Sequence, residues 1–129
     1  MSLFVPEELK YSKEHEWVKV DGKTATVGIT HHAQDQLGDV VYVELPAVGK
    51  EFAAGQEFGV VESVKSVSSL YCPVGGKAIE VNTALNDQPQ LVNDAPYAEG
   101  WMVKLEVKSP AELSSLLTAE EYKKLIEKK

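Results

Sequence analysis

The sequence predicts a mainly β domain that ends in two short helices, and three observations carry that expectation. Alternating or β-branched segments recur from Glu16 to Lys108, punctuated by glycine and proline. Beyond Ser109 the period changes: Leu113, Leu116 and Leu117, then Tyr122, Leu125 and Ile126, fall at helical spacings. The 129 residues, 43% hydrophobic and 26% charged, suit one globular core, so residues 1–129 are read as a single domain.

Glu16 to Ile29 (EWVKVDGKTATVGI) reads as two alternating strands joined by Asp21-Gly22, a pair that tolerates the positive φ of a tight hairpin. Thr30 offers a cap for a short helix over His31 to Leu37, which Gly38 can end in the left-handed conformation. Val40 to Leu45 is β-rich and stops at Pro46, while Gly49 and Gly55 bracket a short connection before the run Phe58 to Val64. Further strands are expected at Lys77 to Asn82 and Trp101 to Lys108. Between them Asn86 to Gly100 reads as a loop with at most one helical turn, around Gln90 to Asn93. Ser109-Pro110-Ala111-Glu112 then supplies a hydroxyl cap, a first-turn proline and a capping-box glutamate, and Thr118-Ala119-Glu120-Glu121 repeats that logic.

Charge and composition exclude several roles. Twenty acids outweigh 13 basic residues for a net charge of −7, with the acidic excess before Val103. Every basic residue is lysine, so no guanidinium is present to grip phosphates or guanine edges, and nucleic acid is not an expected partner. No stretch approaches the length of a membrane span, and the acidic segment before Tyr11 lacks a signal pattern, so no membrane association is expected. Cys72, the single cysteine, is expected as a small apolar filler in a reducing compartment. Adjacent His31 and His32 point in different directions and make a poor metal pair, so no metal site is expected. Trp17 and Trp101 are read as core anchors.

The chemistry is expected in Phe58 to Asn82 (FGVVESVKSVSSLYCPVGGKAIEVN). Strict alternation puts Phe58, Val60, Glu62 and Val64 on one side and Gly59, Val61 and Ser63 on the other. A turn near Lys65 then lifts its amine clear of the surface at a hairpin tip. An exposed lysine is ordinarily solvated charge. Yet Glu62-Ser63-Val64-Lys65, followed by Pro73-Val74-Gly75-Gly76 and Glu80-Val81-Asn82, resembles the lipoyl-attachment hairpin of the glycine cleavage H proteins. Glu14 to Val18, Val27 to Thr30, Ala33-Gln34, Leu37 to Asp39, Val43 to Pro46 and Pro96 to Trp101 resemble that family in the same order.

The resemblance implies a biotinyl/lipoyl carrier type β-sandwich, a barrel-sandwich hybrid, with lipoic acid attached as an amide to Lys65. It implies that lipoyl-attaching enzymes read Glu62 and Gly76; the alternatives are that Glu62 solubilises the hairpin and Gly76 permits a turn of unusual φ. It further implies a cleft for the loaded arm in which Glu16, with Glu14 second, holds an ammonium. Ser69 stands where many relatives carry an aspartate, and the alternative for the two glutamates is a charged pair entering an exposed strand.

The function implied is a non-catalytic, monomeric carrier in the bacterial cytoplasm, or in the mitochondrial matrix if the chain is a processed form. It would shuttle the aminomethyl group of glycine from a pyridoxal-phosphate glycine decarboxylase (P protein) to a tetrahydrofolate-dependent aminomethyltransferase (T protein). Dihydrolipoamide dehydrogenase (L protein) would then reoxidise the arm. Two other readings stand beside it: an H-like scaffold that donates lipoate to other proteins, and an enzyme using Lys65 as a Schiff-base nucleophile, which polar surroundings disfavour. A biotin carrier is disfavoured because Val64 and Ser66, not methionines, flank the lysine.

Overall fold

In the computed structural model, which describes residues 5–127, the chain pairs antiparallel throughout into two sheets. Its strands are β1 (Lys10–Tyr11), β2 (Glu16–Asp21), β3 (Thr24–Ile29), β4 (Val40–Glu44), β5 (Glu51–Phe52), β6 (Glu57–Ser63), β7 (Val67–Tyr71), β8 (Gly76–Val81) and β9 (Val103–Val107). One sheet runs β1-β2-β3-β9-β8-β5 and the other β4-β6-β7. Among the described residues α1 (His31–Leu37) connects the two sheets, α2 (Ala84–Asp87) and α3 (Leu91–Asp94) lie between β8 and β9, and α4 (Ala119–Glu127) follows the last strand. The mainly β sandwich with short helices is therefore the observed architecture. Among the described residues no helix is long and apolar enough to cross a membrane.

Between the sheets, Val18 and Val27 of one face Val43 and Val61 of the other, all at most 1% exposed, with Leu105 and Val74 filling the layer. Each such side chain contributes on the order of 1.5–3 kcal/mol by leaving water. A second cluster lies under α4, where the Tyr11 ring stacks on Tyr122 at 4.7 Å and Trp17 donates its indole N–H to the Pro96 carbonyl at 2.8 Å. Trp17 is the expected core anchor. Trp101 is only half-buried, with the Lys104 amine 5.1 Å above its ring.

Several local expectations are corrected. The β2–β3 hairpin turns at Gly22-Lys23, because Asp21 still pairs with Thr24; only Gly22 of the two has positive φ. Strict alternation on β6 fails, since a bulge between Glu57 and Gly59 inserts Phe58 as an extra residue. Phe58 and Val61 are consequently both buried although three apart. The turn expected around Gln90 to Asn93 is α3, pinned by buried Val92; a further turn that was not expected, α2, straddles the start of that region and is pinned by buried Leu85.

The first tail segment is a 3-10 helix, Pro110–Ser115, without a side-chain cap from Ser109. Its glutamate is engaged elsewhere, for Glu112 Oε1 accepts the Gly75 N–H at 2.8 Å. The second segment forms its capping box in full: Thr118 N–H donates to Glu121 Oε1 at 2.9 Å, and Glu121 N–H to Thr118 Oγ1 at 3.2 Å.

Gly28 pairs with Trp17 across β2–β3, and a Cβ there would lie 2.8 Å from the indole ring. That indole is fixed by its bond to Pro96 and cannot retreat without losing it. Gly28→Ala is expected to destabilise the fold by about 1–3 kcal/mol, as overpacking does. Urea unfolding checks this, and an unchanged midpoint would contradict it.

Candidate functional site

Lys65 stands exposed between β6 and β7, with its backbone held on both sides. Ser63 N–H donates to the Ser66 carbonyl at 2.8 Å, closing the turn. Ser63 Oγ accepts the Lys65 and Ser66 N–H groups at 3.3 and 3.1 Å. Val64 N–H reaches the Asp39 carbonyl at 3.0 Å, tying the tip to the segment that follows α1. The lysine stem passes over Gly38, where a Cβ would sit 3.4 Å from Lys65 Cε. An amine so exposed lacks the desolvation that a Schiff-base nucleophile needs.

Beside the tip lies a cleft of about 420 Å³. Ser66, Ser68 and Ser69 of the hairpin line it, opposite Glu14 just before β2, Glu16 at its start, and His32 and Gln36 from α1. Ile29, Leu37, Val61 and Leu70 give it apolar walls. Three residues expected from the sequence, Glu14, Glu16 and Ser69, thus share one concavity next to Lys65.

Glu16 does not belong to an exposed strand entrance: it is 1% exposed. Its Oε1 accepts the Ser12 hydroxyl at 2.5 Å and its Oε2 the Tyr71 N–H at 3.2 Å. Ser12 Oγ in turn accepts the Glu16 N–H at 3.1 Å. Burial disfavours the carboxylate more than these donors favour it, so its pKa is pushed up to about 7. Glu14, two residues earlier, remains exposed and faces the same cleft.

His15 has positive φ (74°), a conformation costing roughly 1–3 kcal/mol outside glycine. Tertiary bonds hold it there: His15 N–H donates to Ser12 O at 3.1 Å, Thr30 N–H to His15 O at 3.0 Å, and the ring Nδ1 meets Tyr122 OH at 2.8 Å. Its ring lies 4.9 Å from that of His32, so the cleft brings together two histidines 17 positions apart. The sequence brought His15 into consideration only as the third histidine beside the adjacent pair His31-His32 in judging a metal site, and gave no role to Ser12 or Gln36. The one signal for His15 was its place inside the Glu14 to Val18 block.

Glu62 sits on β6 between Tyr42 and Val67, half-buried and three residues before Lys65. Gly76 is elsewhere. It is buried in β8 of the other sheet, and β7 alone, five residues at about 3.3 Å each, separates the tip from the connection leading there. Nor does it serve a turn of unusual φ: its φ is not positive, and a Cβ would meet the Glu106 carbonyl oxygen at 2.5 Å. Close backbone approach between β8 and β9 is what excludes a side chain. Cys72 is buried, and burial together with nearby Glu16 pushes its thiol up to about 12, leaving it an inert filler.

The sequence profile of the family described as Glycine cleavage H-protein matches residues 9–129. The glycine cleavage system H protein of Symbiobacterium thermophilum is 62% identical over 118 residues, 92% of either chain. That of Carboxydothermus hydrogenoformans is 58% identical over 95% of either chain. The crystal structure of a glycine cleavage system H protein from Mycobacterium marinum superposes with a TM-score of 0.84 at 40% identity, covering 92% of this chain and 95% of that one.

The raised pKa of Glu16 links stability to pH. Native Glu16 keeps its proton up to about pH 7, whereas the unfolded chain releases it near 4.5, so stability falls as pH rises through that window. The ceiling on this loss is about 3 kcal/mol. Glu16→Gln, which can donate to Ser12 Oγ and accept from Tyr71 N–H, is expected to remove the slope. Its stability advantage over wild type should be larger at pH 8 than at pH 5 in urea unfolding; equal differences at the two pH values would contradict this.

Proposed function

Since the chain belongs to the glycine cleavage H-protein family, we propose that it carries lipoate as an amide on Lys65 and shuttles the aminomethyl group of glycine between the enzymes of that system. The observation that carries this reading is an exposed, backbone-braced lysine beside a cleft with apolar walls and two carboxylates.

The residues fit the group. Lys65 offers an amine open to an attaching enzyme, and the cleft is lined by Ile29, Leu37, Val61 and Leu70 for a hydrocarbon stem and by Glu14 and Glu16 for an ammonium. In acylation the Lys65 ammonium first gives up a proton; the amine nitrogen then attacks the carbonyl of an activated lipoyl donor, the N–C bond forms, the bond to the activating group breaks and a second proton leaves the nitrogen. The chain loses one positive charge from its surface. Bound there, lipoate supplies a disulfide that opens by reduction, takes up a one-carbon amine fragment and closes again by oxidation.

The chain's own work is positioning and shelter. Ser63 and Asp39 hold the backbone on either side of the tip while the Lys65 stem stays free to swing. A Glu16 carboxyl poised near pH 7 gives up its proton readily when a cation enters, gaining a charge-assisted contact in a site shielded from water. Ser69 offers a hydroxyl on the opposite wall where a carboxylate would add charge. Tethering keeps the fragment at high local concentration between a glycine decarboxylase, an aminomethyltransferase and a dihydrolipoamide dehydrogenase. The carrier turns nothing over alone, acts as a monomer, and works in the bacterial cytoplasm. Glu62 is the recognition residue adjacent to the amine; Gly76, buried, acts on recognition through the β8–β9 packing that holds the fold.

Expression in cells able to attach lipoate should add one lipoyl mass to wild type and nothing to Lys65→Ala. A modification that survives in the variant overturns the assignment. Glu16→Gln is expected to be lipoylated normally yet to release the carried one-carbon amine several-fold faster than wild type. Indistinguishable release rates would remove Glu16 from the sheltering role.

A further inference from the structure

The outer face of the β4-β6-β7 sheet is apolar where it borders Lys65. Across the three strands Tyr42, Glu62 and Val67 stand in one register row, and Tyr42 and Val67 are 49% and 66% exposed. Their neighbours Val43 and Val61 point inward and are buried, which fixes the row on the outside. A bulge between Val40 and Tyr42 turns Val41 outward as well, 53% exposed, and Val64 at the tip is 68% exposed. Isolated exposed apolar residues are ordinary, but four clustered around one reactive amine mark an interaction surface.

Its charge is one-sided. The three strands carry Glu44, Glu57 and Glu62 and no lysine. A complementary partner presents an apolar recess rimmed by basic side chains. The contact proposed is made by the outward side chains of this face; β4, at one edge of the sheet, is irregular at Val41 and packs against α2.

Resting on the lipoyl-carrier reading above, we propose that this face, centred on Tyr42 and Val67, is the docking surface for the enzyme that acylates Lys65. Reach selects that occupant. An enzyme that forms the amide must bring its donor to the Lys65 nitrogen itself, and therefore covers the residues that flank the tip. An enzyme acting on the distal disulfide meets the arm far from its root and has no such requirement.

The test is the rate at which a purified lipoate ligase, supplied with lipoate and ATP, acylates full-length unmodified protein, followed by intact mass. Tyr42→Lys and Val67→Lys are expected to lower kcat/KM at least tenfold, chiefly through KM, with thermal unfolding unchanged. Ile79→Lys, at a 42% exposed apolar position on the other sheet, should match wild type. The Glu44→Gln, Glu62→Gln double variant should be slower at low salt and converge with wild type at high salt. Folded Tyr42→Lys and Val67→Lys proteins acylated at the wild-type rate would overturn the proposal, as would an equal loss in Ile79→Lys. Normal acylation with impaired support of glycine decarboxylation would assign the face to another enzyme and equally overturn it. Wild type that no ligase acylates would instead sink the carrier reading itself.

Discussion

A lysine can anchor a swinging arm only if its backbone is fixed while its side chain stays in water, and the β6–β7 hairpin satisfies both demands. β6 is the central strand of its sheet, paired with β4 on one side and β7 on the other up to Ser63. From there Ser63 Oγ, the Ser66 carbonyl and the Asp39 carbonyl take up the N–H groups that the turn would otherwise leave to solvent. The cleft depends on the same construction, because its serine wall is the returning strand of the hairpin and its opposite wall is α1 and the start of β2.

Within that cleft the structure retains a carboxylate that packing alone would replace by an apolar side chain. Burial of Glu16 weakens the fold at neutral pH, and its two hydrogen bonds offset only part of that cost. His15 is held in a conformation disfavoured for its residue type by contacts that include Tyr122 of α4. The two unfavourable features lie side by side in the concavity adjoining Lys65. The carboxyl-terminal helix thereby has a purpose beyond covering Trp17 and Tyr11: through Tyr122 it sets the position of a cleft residue and bonds Thr30, the cap of α1.

Much of this was legible in the chain. Binary pattern and turn chemistry located β2, β3, α1 with its Thr30 cap, β4 and the second capping box, because each is decided by residues within a few positions. Placement at a hairpin tip could be read for Lys65, but its importance came from the family resemblance. What was lost depends on distant partners. The bulge at Phe58 answers to the register of β7, the fate of Glu112 to the Gly75 N–H, and the exclusion of a side chain at Gly76 to the Glu106 carbonyl. Glu16 is the sharpest case: in a charged, alternating segment its burial is not legible, and one of the groups that bonds it, the Tyr71 N–H, lies 55 residues away.

Carriage requires a lipoyl arm on Lys65. The most direct measurement is exchange of labelled bicarbonate into glycine, catalysed by a purified glycine decarboxylase and titrated with this protein in lipoylated and unlipoylated form. Saturable stimulation by the lipoylated form, and none by the unlipoylated form, is the predicted result. Equal exchange with both forms, or no stimulation by either, would contradict it.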